Sequence, residues 1–90
     1  MRRGRYLEKL YKMTEAQFDA LLLHQDNSCA ICGIEFDKSL KRTRPCVDHC
    51  HATGEVRGIL CGHCNIGIGM FFDSPLLLKS AGKYLKKSEV

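Results

Sequence analysis

Four cysteines in two closely spaced pairs are the residues of this chain best suited to binding a metal. Cys29 and Cys32 form one C-x2-C pair, and Cys61 and Cys64 form a second pair after the intervening residues 33–60. Two such pairs have the ligand number and spacing of a tetrahedral structural zinc site, because thiolate is a soft ligand that matches Zn2+. Four thiolates close the coordination shell, so this ion would stabilise the fold and would not activate water.

Three groups that suit hydrolytic chemistry lie inside this motif or directly beside it. Asp48 and His49 are adjacent in the segment between the two pairs, and Asn65 follows the last cysteine. Binding of one zinc by both pairs would draw these three side chains together. Phosphodiester hydrolysis needs a hard cation to neutralise developing charge and a base to deprotonate water. Carboxylate and amide oxygens suit Mg2+ or Mn2+, and a neutral histidine can accept a proton near pH 7.

The ordered motifs around these residues resemble a known nuclease family. The motifs C-x2-C-G, V-D-H-x-H and V-R-G-I-L-C-x2-C-N are similar to those of the phage recombination endonuclease VII group, within the ββα-metal (His-Me finger, HNH) nucleases. This resemblance implies that Asp48 and Asn65 bind a catalytic Mg2+ or Mn2+ and that His49 is the general base. It also implies that His51 lies near the scissile phosphate, that Arg57 contacts the DNA backbone and that the four cysteines hold a structural zinc.

The resemblance covers most of the chain, from about Thr14 to Leu85, and two positions depart from the family pattern. Cys50 stands between the two histidines, where family members often have an acidic residue. Ile68 stands one turn beyond Asn65, where some members carry a glutamate. The resemblance therefore does not imply a second carboxylate beside the catalytic metal. It also does not specify whether the DNA substrate is a branched junction, a nicked duplex or a particular sequence.

Two further cysteines, Cys46 and Cys50, leave two interpretations open. They could fill the core, or they could form a second zinc site with His49 and His51. The second interpretation would remove the histidine that the resemblance assigns to catalysis. Neither cysteine belongs to a C-x2-C pair, which favours a place in the core.

Length and composition indicate one domain that needs a metal to be stable. The chain has 90 residues, and a core of this size is marginal without a metal or disulfides. The basic N-terminus is not followed by the apolar region of a secretory signal, and no apolar run approaches the length that spans a bilayer. These features predict a cytoplasmic protein whose cysteines bind metal rather than form disulfides.

The formal net charge of +4 is concentrated in three clusters, at the two ends and in the middle of the chain. Such clusters suit binding to a phosphate backbone, although they are also typical of solvated helix faces and loops. Three residues of the middle cluster, Lys41, Arg42 and Arg44, are predicted to bind nucleic acid. Arg57, outside this cluster, is predicted to bind it as well.

Capping and periodicity signals predict the elements that must position these residues. Thr14 and Gln17 form a capping box at the start of a helix, and Ser74 followed by Pro75 starts another. Alternating apolar residues and a turn-forming segment predict a hairpin with a four-residue loop. The predicted elements are a helix over 14–25, strands over 45–51 and 56–60, and helices over 61–72 and 74–87.

These observations predict a small α+β domain, stapled by zinc, in which the hairpin and the following helix form a ββα-metal core with flanking helices. Residues 1–13 are expected to form a basic arm or helix, and residues 14–87 the nuclease domain. The predicted activity is metal-dependent hydrolysis of DNA, and a phage or prophage origin would fit it. Two alternatives stay open: a zinc module that binds nucleic acid or protein without catalysis, and a nuclease subunit of a larger assembly.

The C-terminal region also predicts self-association. One active site nicks one strand per encounter, whereas paired cuts require two sites related by a twofold axis. The region carries more large apolar side chains than one short turn and helix face can bury, namely Phe71, Phe72, Leu76, Leu77 and Leu78. We therefore expect a homodimer that packs through this region.

Overall fold

The computed structural model describes residues 13–87 of the chain. This part contains three helices and one two-stranded antiparallel sheet. In chain order they are helix α1 (Glu15–His24), strands β1 (Cys46–His49) and β2 (Val56–Leu60), and helices α2 (Gly62–Met70) and α3 (Pro75–Lys87). The predicted α+β class and order of elements are confirmed. The arm or helix predicted over 1–13 lies outside the described residues, apart from Met13.

Helix α1 begins at the predicted capping box. The Thr14 hydroxyl accepts a hydrogen bond from the Gln17 N–H at 3.1 Å, and the Gln17 side-chain oxygen accepts one from the Thr14 N–H at 2.8 Å. Phe18 is buried, and Leu21 and Leu22 pack against the core. Their spacing places them on one face of the helix, as the periodicity predicts. The helix ends within one residue of the predicted position.

Strand β1 is shorter than predicted, because the hairpin turn closes earlier. The Cys50 N–H donates to the Glu55 carbonyl at 2.8 Å, and the Gly54 N–H donates to the Cys50 carbonyl at 2.6 Å. Gly54 has a φ of 78°, which glycine adopts without steric cost. The loop therefore spans 50–55 instead of the predicted 52–55, while β2 has its predicted bounds.

A β-bulge interrupts the pairing of the two strands beside the predicted site. Asp48 lies opposite Gly58 and His49 lies opposite Val56, so Arg57 is the extra residue on β2. A bulge bends its strand and re-aims the side chain of the extra residue. Nothing in the alternation of apolar residues predicted this irregularity.

The core is small and includes part of the predicted zinc site. Ile59, on β2, is completely buried and lies at its centre. The buried apolar residues of the core are Met13, Phe18, Cys29, Phe36, Ile59, Leu60 and Cys61. Because two of the four paired cysteines belong to this set, a metal bound by the four would couple its binding to core formation.

Gln25, which follows α1, ties that helix to β2. Its side-chain N–H2 group donates to the Ile59 carbonyl at 2.8 Å and to the Ser28 carbonyl at 2.9 Å. The Ile59 N–H in turn donates to the Gln25 side-chain oxygen at 3.0 Å. The side-chain amide thus pairs with β2 much as a neighbouring strand would. Gly58 permits this approach, since a Cβ there would lie 3.3 Å from that oxygen.

Helix α2 ends at Met70, two residues before the predicted end, because the next residues leave the helical conformation. Phe72 and Asp73 both have positive φ, at 58° and 54°. Their N–H groups donate to the carbonyls of Gly69 and Ile68 and so close the C-terminus of the helix. Ser74 then caps α3 as predicted, with its hydroxyl accepting from the Leu77 N–H at 3.1 Å.

Helix α3 leaves its apolar side chains exposed. None of its residues is buried. The large apolar residues exposed in and near α2 and α3 are Ile66, Met70, Phe71, Phe72, Leu76, Leu77, Leu78, Tyr84 and Leu85. The surplus of apolar surface expected from the sequence is therefore present, while the homodimer itself stays a prediction. Among residues 13–87, no helix is both long and apolar enough to cross a membrane.

Candidate zinc site and candidate nuclease site

The first cysteine pair lies in a tight turn shortly after α1. The Cys29 N–H donates to the Ile34 carbonyl at 2.9 Å, and the Gly33 N–H donates to the Cys29 carbonyl at 3.0 Å. Gly33 has a φ of 75°, so the turn depends on the conformational freedom of glycine. Backbone hydrogen bonds thus fix the positions from which Cys29 and Cys32 project.

The second cysteine pair opens helix α2. Cys61 is the N-cap, and its sulfur accepts a hydrogen bond from the Cys64 N–H at 3.4 Å. The Cys61 carbonyl accepts from the Asn65 N–H at 3.0 Å. The pair and Asn65 are therefore parts of one helical turn, as their adjacency in the sequence predicts.

The two pairs converge into one cluster of four sulfurs. All four sulfurs lie within 4.8 Å of one another, and those of Cys32 and Cys61 are 3.8 Å apart. A tetrahedral zinc with bonds of about 2.3 Å places its sulfur ligands about 3.8 Å from each other. The donor set and its dimensions therefore fit a structural Zn2+.

One cysteine of this cluster favours the ionised form that zinc requires. Burial by itself would raise the pKa of the Cys29 thiol, but hydrogen bonds from the backbone of Cys61, Cys32 and Ile31 lower that pKa to about 6. A thiolate is thus accessible at neutral pH within the cluster. Zinc binding needs deprotonated cysteines, and the lowered pKa of Cys29 favours it, whereas burial and hydrogen bonds with Cys61, Cys32 and Cys29 raise the pKa of Cys64.

Asp48, the predicted metal ligand on β1, is a buried carboxylate that is engaged by Arg57. Asp48 is only 8% exposed. Its two oxygens accept hydrogen bonds from Arg57 Nε at 2.8 Å and Arg57 Nη2 at 2.9 Å. The hydrogen bond to Asp48 raises the pKa of the Arg57 guanidinium above its usual range. This bidentate pair supplies the compensating charge that a buried carboxylate needs.

A second carboxylate, which the sequence did not identify, also contacts Arg57. Arg57 Nη2 donates to Asp73 Oδ2 at 3.3 Å, and His51 Nε2 lies 3.7 Å from the same oxygen. Asp73 lies in the turn between α2 and α3, nine residues after Cys64. Asp73 has a left-handed conformation after α2, with a φ of 54°, and no local sequence signal marks that geometry.

The two histidines predicted to act in catalysis are neighbours at the end of β1. The ring centroids of His49 and His51 are 5.1 Å apart, and the rings are tilted by 57°. His49 is half-buried, whereas His51 is exposed. A cleft of about 450 Å3 adjoins His51, and its lining includes His51, Arg57, Phe72 and Asp73 but not His49.

Asn65 and the two remaining cysteines occupy distinct positions around this site. Asn65 is half-buried in the first turn of α2, the helix that packs against both strands. Cys46 and Cys50 are both half-buried, and burial raises the pKa of Cys46 while a hydrogen bond with Thr53 lowers that of Cys50. Across residues 13–87, only the four paired cysteines form a group of three or more histidine, cysteine or acidic side chains placed to share a metal. The alternative second zinc site is therefore not assembled.

The basic residues predicted to bind nucleic acid lie in a loop held against the second cysteine pair. Lys41, Arg42 and Arg44 are exposed. The Gly62 N–H donates to the Arg42 carbonyl at 3.2 Å, so the loop is anchored at the start of α2. Thr43 is buried, and its hydroxyl donates to a carbonyl of the same loop. The loop thus presents its charged side chains from a fixed backbone.

Comparisons with known proteins identify one family and one phage relative. A family model described as recombination endonuclease VII matches residues 4–87. The Gene 59 protein of Mycobacterium phage D29 is 40% identical over 78 residues, which cover 86% of this chain and 46% of the phage protein. The chain therefore spans about half the length of that relative. No solved structure gives a significant match.

Proposed function

This chain belongs to the recombination endonuclease VII family, and we propose from that premise that it is an endonuclease that hydrolyses DNA phosphodiester bonds with the help of a divalent cation. The observation that carries the proposal is the buried Asp48, whose two oxygens hold a cationic group beside a cleft lined by His51 and Arg57. This proposal includes branched junctions among the DNA structures that the protein cleaves.

We assign the hairpin β1–β2 and helix α2 to the ββα-metal core of this nuclease class. In this assignment Asp48 and Asn65 are the oxygen ligands of Mg2+ or Mn2+. Asp48 fits that role because both of its carboxylate oxygens already bind a cationic group, the guanidinium of Arg57. When bound, the cation would neutralise charge that develops on the phosphate and on the leaving 3′ oxygen.

We assign the remaining roles to side chains that line the cleft or lie elsewhere in the domain. We propose that His49 accepts the proton of the attacking water and that His51 lies near the scissile phosphate. Arg57 lines the cleft and can donate hydrogen bonds to a phosphate oxygen. Lys41, Arg42 and Arg44 are proposed to contact phosphates of the DNA backbone, which positions the duplex without reading its sequence.

A cleavage assay tests this proposal directly. Zinc-loaded protein is incubated with supercoiled plasmid and with a four-way junction, with and without Mg2+ or Mn2+. We expect cleavage only with the cation, and products with 5′-phosphate and 3′-hydroxyl ends that a ligase can rejoin. Brief EDTA treatment should stop cleavage without unfolding the domain, because oxygen ligands release Mg2+ far more readily than four thiolates release zinc.

Two variants sharpen the assay. Asp48→Ala should abolish cleavage while part of the DNA binding remains, because that binding rests on basic side chains. Glu55→Gln, which changes an exposed carboxylate in the hairpin loop, should cleave like the wild type. If wild-type protein binds DNA but never nicks it with any divalent cation, the chain is a non-catalytic zinc module.

We further propose that the nuclease acts as a homodimer packed through the apolar side chains around α3. Phe72 and Leu76 are 82% and 75% exposed, respectively. A monomer would leave this apolar surface in water, and two sites related by a twofold axis would allow paired cuts.

Sedimentation of the zinc-loaded protein at micromolar concentration tests the dimer. Leu76→Lys should shift the protein towards monomer. The same substitution at Leu23, which is 80% exposed but lies on α1, should leave the dimer intact. A wild type that sediments only as a monomer, with and without DNA, would contradict the proposal.

A further inference from the structure

We propose that Asp48 and Asp73 share Arg57, so that Arg57 leaves Asp48 when a divalent cation binds there and is retained in the cleft by Asp73. Asp73 is then a positioning residue that acts through Arg57. This inference rests on the proposed function, since it takes Asp48 as a cation ligand.

The pairing geometry makes Arg57 and a divalent cation competitors for Asp48. Arg57 engages both carboxylate oxygens, at 2.8 Å and 2.9 Å, so each oxygen already accepts one strong hydrogen bond. A cation bound to either oxygen would lie close to the guanidinium, and the two positive charges would repel each other beside the buried carboxylate. Cation binding therefore favours an arrangement in which Arg57 has moved away from Asp48.

Asp73 offers Arg57 a second acceptor within the same cleft. A single nitrogen, Nη2, contacts Asp48 at 2.9 Å and Asp73 at 3.3 Å, so the guanidinium already bridges the two carboxylates. Arginine carries five N–H donors in a planar fork, and a small rotation can pair it fully with Asp73. The Arg57 side chain would thus exchange one carboxylate partner for the other without leaving the cleft.

The fold holds both ends of this exchange in place. The bulge makes Arg57 the extra residue on β2 and aims its side chain towards Asp48. Phe72 and Asp73 are consecutive non-glycine residues with positive φ, and the Asp73 N–H is fixed on the Ile68 carbonyl at 2.8 Å. Such conformations are uncommon for residues other than glycine, and here they bring Asp73 to the hairpin.

Retention by Asp73 keeps Arg57 where a phosphate would arrive. The cleft of about 450 Å3 is lined by His51, Arg57 and Asp73 together. His51 Nε2 lies 3.7 Å from Asp73 Oδ2, the same oxygen that Arg57 contacts. An arginine held there after cation binding can donate to a phosphate oxygen, whereas an arginine paired bidentately with Asp48 has two of its N–H groups committed.

Binding of Mn2+ to zinc-loaded protein without DNA, followed by electron paramagnetic resonance of the free ion, measures this competition. Arg57→Gln should bind Mn2+ at least about fivefold more tightly, because the competitor for Asp48 is removed. Asp73→Asn should bind it about fivefold more weakly, because Arg57 then has only Asp48. Glu55→Gln, which removes one exposed negative charge elsewhere, should bind like the wild type.

The double variant separates retention of Arg57 from direct ligation. In the Arg57→Gln background, Asp73→Asn should change Mn2+ affinity by less than about twofold, since there is no arginine to retain. An equal loss in both backgrounds would mean that Asp73 acts on the cation itself, and it would overturn the proposal. Unchanged or weaker Mn2+ binding by Arg57→Gln would overturn it as well.

A measurement on the wild type covers the case in which Arg57→Gln fails to fold. Nitrogen-15 magnetic resonance should show the Arg57 Nε–H protected by its hydrogen bond to Asp48 and shifted by saturating Mg2+. A resonance that Mg2+ leaves unchanged would overturn the proposal. The proposed function fails separately: if Asp48→Asn binds Mn2+ as the wild type does, the cation site itself is wrong, and this inference is wrong with it.

Discussion

The candidate zinc site and the candidate nuclease site are built by different parts of the chain. Backbone hydrogen bonds in one tight turn and at the start of α2 position the four cysteines, and all four sulfurs lie within 4.8 Å of one another. Asp48 is instead held by the side chain of Arg57, which comes from the neighbouring strand and also reaches Asp73. The first site is therefore part of the folded backbone, while the second can exchange its partners.

This difference suits the two proposed metals. A structural ion would contribute folding free energy, and two of its proposed ligands, Cys29 and Cys61, share the core with Phe18 and Ile59. A catalytic cation must bind reversibly and leave coordination positions for water and phosphate. Ligands that are held by an exchangeable ion pair meet that requirement better than ligands that are fixed by backbone turns.

Removal of one cysteine ligand should produce the largest effect, because it tests whether the candidate zinc site holds the fold together. Cys61→Ser is expected to release zinc and unfold the domain, because apparent binding free energies at such sites are about 10–16 kcal/mol. Cys46→Ser, a change to a half-buried cysteine outside the cluster, should keep the metal and the fold. Zinc content and circular dichroism check both variants, and a folded, zinc-free Cys61→Ser protein would contradict the coupling.

Removal of the proposed base, His49, should affect cleavage at the candidate nuclease site and leave the candidate zinc site unchanged. His49→Ala is expected to lower cleavage by about 10^2- to 10^4-fold, the usual contribution of a positioned general base. Zinc content and circular dichroism should stay near those of the wild type, because His49 is not a member of the four-cysteine cluster. His63→Ala, a change to an exposed histidine between the second pair of cysteines, is the matched control. A fully active His49→Ala protein would show that the base is another group.

The features that the sequence predicted are those encoded by local patterns. The capping box, the start of α3, the bounds of β2 and each of the two C-x2-C pairs follow from residues within a few positions of one another. Spacing is sufficient there, because a turn or a helix start depends on local backbone chemistry.

The features that the sequence did not predict depend on contacts between distant segments. The bulge at Arg57, the left-handed Asp73 and the Gln25 side chain on Ile59 each require two elements to meet. The family resemblance implied that Arg57 contacts the DNA backbone, and in the structure Arg57 pairs with two aspartates. Tertiary partners of a charged side chain cannot be read from its neighbours in the chain.

The smallest expected effect concerns the link between the two sites. Gln25 follows α1 just before the first cysteine pair and bonds to β2, the strand that carries Arg57 and leads to Cys61. Gln25→Ala should lower the free energy of unfolding by about 1–3 kcal/mol, because the Ile59 N–H and carbonyl both lose a partner. Zinc stoichiometry should be unchanged, since the cysteines keep their own backbone turns.

Two further substitutions test whether that loss comes from the strand contact. Gln25→Glu keeps an acceptor for the Ile59 N–H but cannot donate to the Ile59 carbonyl, so thermal unfolding should place it between the wild type and Gln25→Ala. Gln17→Ala removes an exposed amide whose contact is confined to the capping box of the same helix, and it should cost less than Gln25→Ala. If Gln17→Ala and Gln25→Ala destabilise equally, the amide is not the connection between α1 and β2, and the two sites are coupled only through the core.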